Sequence, residues 1–298
     1  MPFYRLPALV RTSVVQTLTL LAALIISTPA DAQAPPGWLD AWQSTEGLEV
    51  RRLVETRVEG REGEDHLRVC ELVFEVEVDA RGLTLRPQRD DALFEPVIDP
   101  DLFPERVERL GCLVPTLRID AGGRITAADA EAIEQKVRDL FERFIAAQPG
   151  KDEQERVRAR TRASLQSLSE PALQTSARTW WSMLGARPLD FTAPEIQPTP
   201  CLMPSPATTF CTQVRSEEVV DLTSSMTQMY EGAGFRLERA LANQQATVRF
   251  RSDQPSPTTY ARRIRQAQDL VHRYTDEKAR ITATNIEVLV ISAVPRSP

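Results

Sequence analysis

Histidine is nearly missing from this chain: His66 and His272 are the only two in 298 residues. A serine or cysteine hydrolase needs a base with an orienting partner, and neither histidine stands in a motif that announces one. His66 falls in the charged turn Glu64-Asp65-His66, and His272 lies off the apolar stripe of the helix expected around it. There is no Gly-x-Ser-x-Gly elbow, His-Glu-x-x-His, phosphate loop or Ser-x-x-Lys. These absences point away from an enzyme, and no cofactor or metal is expected.

Lysine is also scarce, three residues against 33 arginines, a bias that reads as genome composition. The net charge is −6, which disfavours general nucleic-acid binding, since that needs a dense basic surface. Beyond residue 32, apolar runs are no longer than Val288-Leu289-Val290-Ile291. A spanning helix needs about 20 apolar residues, so no membrane span is expected in the chain after residue 32. No cysteine precedes Cys70, which removes a lipid-modified N-terminal cysteine.

The first 32 residues carry the strongest positive signal. Arg5 and Arg11 form a basic n-region, Leu18 to Ile26 an apolar h-region, and Ala30-Asp31-Ala32 a small-residue cleavage site. The two arginines are not adjacent, which argues against twin-arginine export. The pattern predicts a signal peptide cleaved after Ala32 and a periplasmic or secreted protein starting at Gln33. That mature chain holds 34 basic and 41 acidic residues.

In an oxidising compartment, an even count of cysteines reads first as disulfides. Cys70, Cys112, Cys201 and Cys211 allow three connectivities. Keeping each bridge within one half of the chain favours Cys70–Cys112 and Cys201–Cys211, worth roughly 4 and roughly 3 kcal/mol by loop entropy. A zinc site is the weaker reading, because no close Cys-Cys or Cys-His pair exists.

Alternation from Leu48 to Val58 and from Leu67 to Asp79, with a third short strand ending near Pro87, predicts an antiparallel meander with one wet face. A strand is expected at Leu113–Ile119. Thr126 with Asp129 resembles a capping box ahead of a helix with the stripe Ile133, Val137, Leu140, Phe141 and Phe144. A polar helix follows from Asp152 to about Leu168, then a third carrying Leu173, Ala177, Trp180, Trp181 and Leu184. Six prolines mark residues 188–207 as a connection or edge segment. Strands are expected at Thr209–Leu222, Phe235–Leu241 and Ala246–Phe250. Ser256-Pro257 reads as the start of a helix with the stripe Tyr260, Ile264, Ala267, Val271 and Tyr274, and a strand from Thr282 to Val294 closes the chain.

The expectation is an α+β protein: a mainly antiparallel sheet, flat or strongly curved, with helices on one face. The organisation is signal peptide 1–32, N-terminal half 33–187, Pro-rich connection 188–207 and C-terminal half 208–298, the halves forming one domain. The alternative is two small α+β subdomains joined by the Pro-rich segment.

Few residues suggest chemistry. Glu71, Glu75, Glu77 and Asp79 line one strand face, and alternate residues there lie roughly 6.5–7 Å apart. Glu75 and Glu77 could flank a sugar bond or share a calcium ion; the competing expectation is a solvated acidic face matched by Arg51 and Arg57. Trp180 and Trp181 should point about 100° apart on a helix, one into the core and one toward a ligand or partner. Leu202, Met203 and Phe210 sit in the Pro-rich Cys201–Cys211 loop, a candidate recognition element. The leading functional expectation is an exported, non-enzymatic envelope protein that binds an apolar ligand or a protein. Alternatives are an exported hydrolase using Glu75 and Glu77, or a scaffold subunit of an envelope assembly.

Overall fold

The computed structural model describes residues 38–59, 66–97, 99, 101–185, 197–199, 211–223, 235–251, 254–272, 274–276 and 278–296. The predicted signal peptide, Leu202, Met203, Phe210 and the Cys201–Cys211 bridge lie outside the described residues. The strands are β1 Thr45–Val58, β2 His66–Asp79, β3 Gly82–Pro87, β4 Leu117–Asp120, β5 Ile125–Ala127, β6 Gln197–Thr199, β7 Cys211–Asp221, β8 Phe235–Arg251, β9 Pro257–His272 and β10 Lys278–Pro295. The helices are α1 Phe103–Leu110, α2 Ala130–Ala146, α3 Lys151–Ser167 and α4 Glu170–Leu184, with two short 3-10 turns at Asp40–Trp42 and Asp91–Phe94. The sheet is mainly antiparallel and open, in the order β5-β4-β3-β2-β1-β10-β9-β8-β7-β6. The α+β class expected from the sequence is thus observed. Cys70 and Cys112 are joined in a disulfide.

The chain divides into two compact units. The first comprises Ser27–Glu49, Leu72–Leu184 and Ala293–Pro298, and among the described residues it holds all four helices. Its β3 and β4 pair through Leu83↔Ile119 and Leu85↔Leu117, and all four side chains are fully buried. The stripe of α2 is buried at Ile133, Val137, Leu140, Phe141 and Phe144. Phe103 of α1 stacks on Phe144 at 3.5 Å between centroids and meets Phe141 edge-on at 5.2 Å. Gly82, which opens β3, has φ +147°, and a Cβ there would stand 2.0 Å from the Ile119 carbonyl oxygen. Only glycine fits that turn. Asp79 fixes it by accepting from the Arg81 and Gly82 amides.

The capping box expected at Thr126/Asp129 does not form. Asp129 is itself the N-cap of α2 and makes no side-chain cap bond. Its carboxylate accepts from the Thr116 amide at 2.8 Å and hydroxyl at 2.6 Å, and pairs with Arg89 at 2.7 Å. Burial opposes its charge, but these hydrogen bonds and the Arg89 guanidinium prevail and lower its pKa. A tertiary clamp outbids the local cap.

The second unit comprises Val50–Glu71 and Gly185–Ser292. Among its described residues, long antiparallel strands dominate and the sequence reading needs correction. Residues 257–272 form strand β9, not a helix, with Ser256-Pro257 as its entry. The stretch contains two periodicities. Tyr260, Ile264, Ala267 and Val271 fit a helix, while Tyr260, Arg262, Ile264, Gln266, Gln268 and Leu270 alternate as a strand, and this second set is the buried one. Three of its members are polar, which hides the period of two from any reading based on apolar residues. Likewise, the strands expected at 235–241 and 246–250 are one strand, β8, running through Ala242–Gln245. Pairing to both β7 and β9 holds that polar stretch extended. Pro198 lies in β6, which ends the sheet order, where its missing N–H is tolerated.

A candidate ligand-binding face

The buried face of the second unit is set by register. In β10, Glu287 stands opposite Arg262 of β9, with Leu289 opposite Tyr260 and Asn285 opposite Ile264 on the same face. Across β9, Arg262 meets Ala246 of β8, Ile264 meets Gln244, Gln266 meets Ala242 and Gln268 meets Ala240. Long polar side chains from β9 therefore face alanines from β8. An apolar cluster of Leu222, Leu237, Ala240, Ala242, Ile264 and Leu270 continues this face.

At its centre is an ion cluster. Glu287 Oε1 accepts from Arg52 Nε at 2.7 Å, and Oε2 accepts from Arg262 Nη2 at 2.5 Å. The Arg262 and Glu287 side chains are each 4% exposed. Burial by itself would push the Glu287 carboxyl upward. The charges and hydrogen bonds of Arg52 and Arg262 overcome this and hold it at about 2. Burial would likewise lower the Arg262 pKa, but Glu287 and Tyr260 turn the net shift upward. Tyr260 is raised, first by burial. The cluster is charged at neutral pH.

It is not saturated. Arg262 Nε and Nη1 are buried and make no hydrogen bond, and neither do the buried Asn285 Oδ1 and Gln244 Oε1. Buried polar groups are normally paired, so these unpaired donors and acceptors set this face apart.

The residues singled out from the sequence lie elsewhere. Glu75 and Glu77 are exposed on β2, and Arg86 of β3 pairs with both, at 3.7 and 3.2 Å. Gln88 also donates to Glu75. Glu71 pairs with Arg51 at 3.8 Å, while Arg57 turns to Glu55 instead of to the acidic row. Trp180 is buried against Phe74, centroids 6.3 Å apart. Trp181 is half-buried and packs on Trp38 and Trp42 at 5.8 and 5.9 Å. A separate cleft of about 530 Å³ is lined by Leu39, Asp40, Gln43, Val78, Asp79, Ala80 and Arg296.

Arg262 is hidden because 257–272 reads as a helix, and Gln244 because it falls between two expected strands, while Asn285 and Glu287 lie in an expected strand without a motif to mark them. Glu287 itself was a usable signal: it is a lone acid between Ile286 and the apolar run Val288–Ile291, and a buried carboxylate demands a cation.

No protein-family model matches the chain, and no curated protein matches it.

Proposed function

We propose that this is an exported, non-enzymatic envelope protein that binds an apolar ligand through the face shared by β8, β9 and β10. The observation that carries the reading is that face itself. It joins the cluster around Leu222, Leu237, Ile264 and Leu270 to alanines at 240, 242, 246 and 283. Apolar residues joined by a few polar groups from facing strands are the composition of a site that holds an apolar ligand. The signal-like N-terminus supports export, and the Cys70–Cys112 bridge agrees with an oxidising compartment.

The test is solvent extraction of the purified protein followed by mass spectrometry. Co-purifying acyl chains are the expected result. A ligand-free protein that also takes up no lipid from vesicles rejects the reading.

A further inference from the structure

The cleft beside the 3-10 turn Asp40–Trp42 has a volume of about 530 Å³, within the range of small-molecule sites, about 300–1,000 Å³. All its lining residues belong to the unit that holds the helices. It shares no residue with the face of β8, β9 and β10, so the two sites stand or fall independently. We infer that this cleft holds a short zwitterionic peptide, with the ammonium group on Asp40 and Asp79 and the carboxylate on Arg296.

Local structure makes the walls firm. Trp38 and Trp42 pack on Trp181 and are at most 6% exposed, which leaves Leu39, Asp40 and Gln43 to line the cleft. A second wall is the end of β2, where Asp79 Oδ1 is held by the Arg81 and Gly82 amides. Arg296 follows β10, and its own amide donates to the Ser44 carbonyl at 2.8 Å. Groups fixed in this way lose little freedom when a ligand arrives. Asp40, Asp79 and Arg296 are all exposed, so a solute can reach them.

The charges suit a ligand of two signs. Asp40 Oδ1 accepts from Gln43, and among the described residues the second oxygen of Asp40 and of Asp79 has no hydrogen bond. The Arg296 guanidinium lines the same cleft and pairs with neither carboxylate. An ammonium has three donors for two carboxylates to accept, and a guanidinium edge takes a carboxylate by two parallel bonds. A plain cation would meet Arg296, and a plain anion would meet Asp40 and Asp79; like charges placed together weaken binding. Because Arg296 stands apart from both carboxylates, the ligand's charges must stand apart too. The ends of a peptide do so, separated by ~3.3–3.6 Å per residue, whereas a free amino acid carries both charges on one carbon. Leu39 and Val78, each half-buried, give small side chains an apolar contact.

Calorimetric titration of the full purified protein with dialanine, N-acetyl-dialanine, dialanine amide and free alanine tests this. Dialanine should bind tightest, and blocking either end or shortening to alanine should weaken binding by about tenfold or more. Added salt should weaken dialanine as well, since the charges are exposed. In Arg296→Gln, dialanine should fall to the level of its amide while acetylation still matters. Asp40→Asn should do the reverse, and Asp79→Asn should follow it while keeping an acceptor for the Arg81 and Gly82 amides. Absence of dialanine binding, or equal binding of blocked and unblocked forms, overturns the inference. Alanine binding as tightly as dialanine overturns it in favour of an amino-acid site. A preference for the free carboxylate that survives in Arg296→Gln removes the ligand from this cleft.

Discussion

The two units bury different chemistry. In the helical unit, Leu83, Leu85, Leu117, Ile119, Phe141 and Leu140 are at most 1% exposed, and the partly buried Asp129 is met by Thr116 and Arg89. In the strand unit the buried residues include Arg262, Gln266, Gln268 and Glu287, and several polar atoms there find no partner. A core built for stability alone has no use for unpaired donors, because each costs stability without return. The helical unit has the composition of a scaffold. The strand unit buries charged and amide side chains where the helical unit buries aliphatic and aromatic ones.

Substitutions can break this contrast. The largest effects should come from one residue in each unit. Phe141→Ala should cost about 3–5 kcal/mol in denaturant unfolding by leaving a cavity. Glu287→Gln should cost a similar amount, about 3–5 kcal/mol, for a different reason: it leaves buried guanidinium charge uncompensated. The double variant Arg262→Met/Glu287→Leu separates the causes. It should fall within about 2 kcal/mol of wild type, whereas no apolar replacement of similar volume is expected to reveal a hidden cost at Phe141. A double variant as unstable as Glu287→Gln would mean that the ion cluster holds the sheet together.

Acid titration sharpens the comparison next. Glu287 sits at about 2 against an ordinary 4.5, a depressed carboxylate. Its contribution is therefore complete above about pH 4.5 and is lost as pH falls toward 2, about 3 kcal/mol in all. Asp129 is also lowered and acts in the same direction. Urea midpoints between pH 6 and pH 2 should fall for the wild type and fall less for the double variant, which lacks Glu287. Identical slopes would contradict a charged Glu287.

The smallest effect is expected on the exposed acidic row. Glu75→Gln and Glu77→Gln should each change stability by less than about 1 kcal/mol, because their pairs with Arg86 are solvent-exposed. The hydrolase alternative rests on the same two variants. Turnover of glycoside substrates by the wild type that disappears in both would revive it.

The helical unit was largely legible in the sequence. The stripe Ile133–Phe144 gives α2, Leu173, Ala177 and Trp180 give α4, and Phe74 and Val76 alternate as a half-buried strand, because there apolar pattern and burial coincide. The strand unit was legible only in part, because that coincidence fails. Arg262, Gln266 and Gln268 occupy buried positions, so the apolar residues left in 257–272 happened to fall at helical spacing. Asp129 misled for a related reason: a long-range partner, Thr116, took the role that local sequence assigned to its own helix. The candidate face was hidden because its polar residues lie in three strands, and no contiguous motif records them.

The bond between Arg52 and Glu287 spans 235 positions in the chain. Among the described strands β1 comes first in chain order, and its neighbour β10 comes last. Contacts at such separation form slowly, since the loop between them must close before they return any energy. Until β10 is made, one edge of β1 has no partner. A waiting edge is a template for wrong pairing. The eighteen residues of β10 close that edge, so β1 gains its second neighbour from a segment remote in the chain.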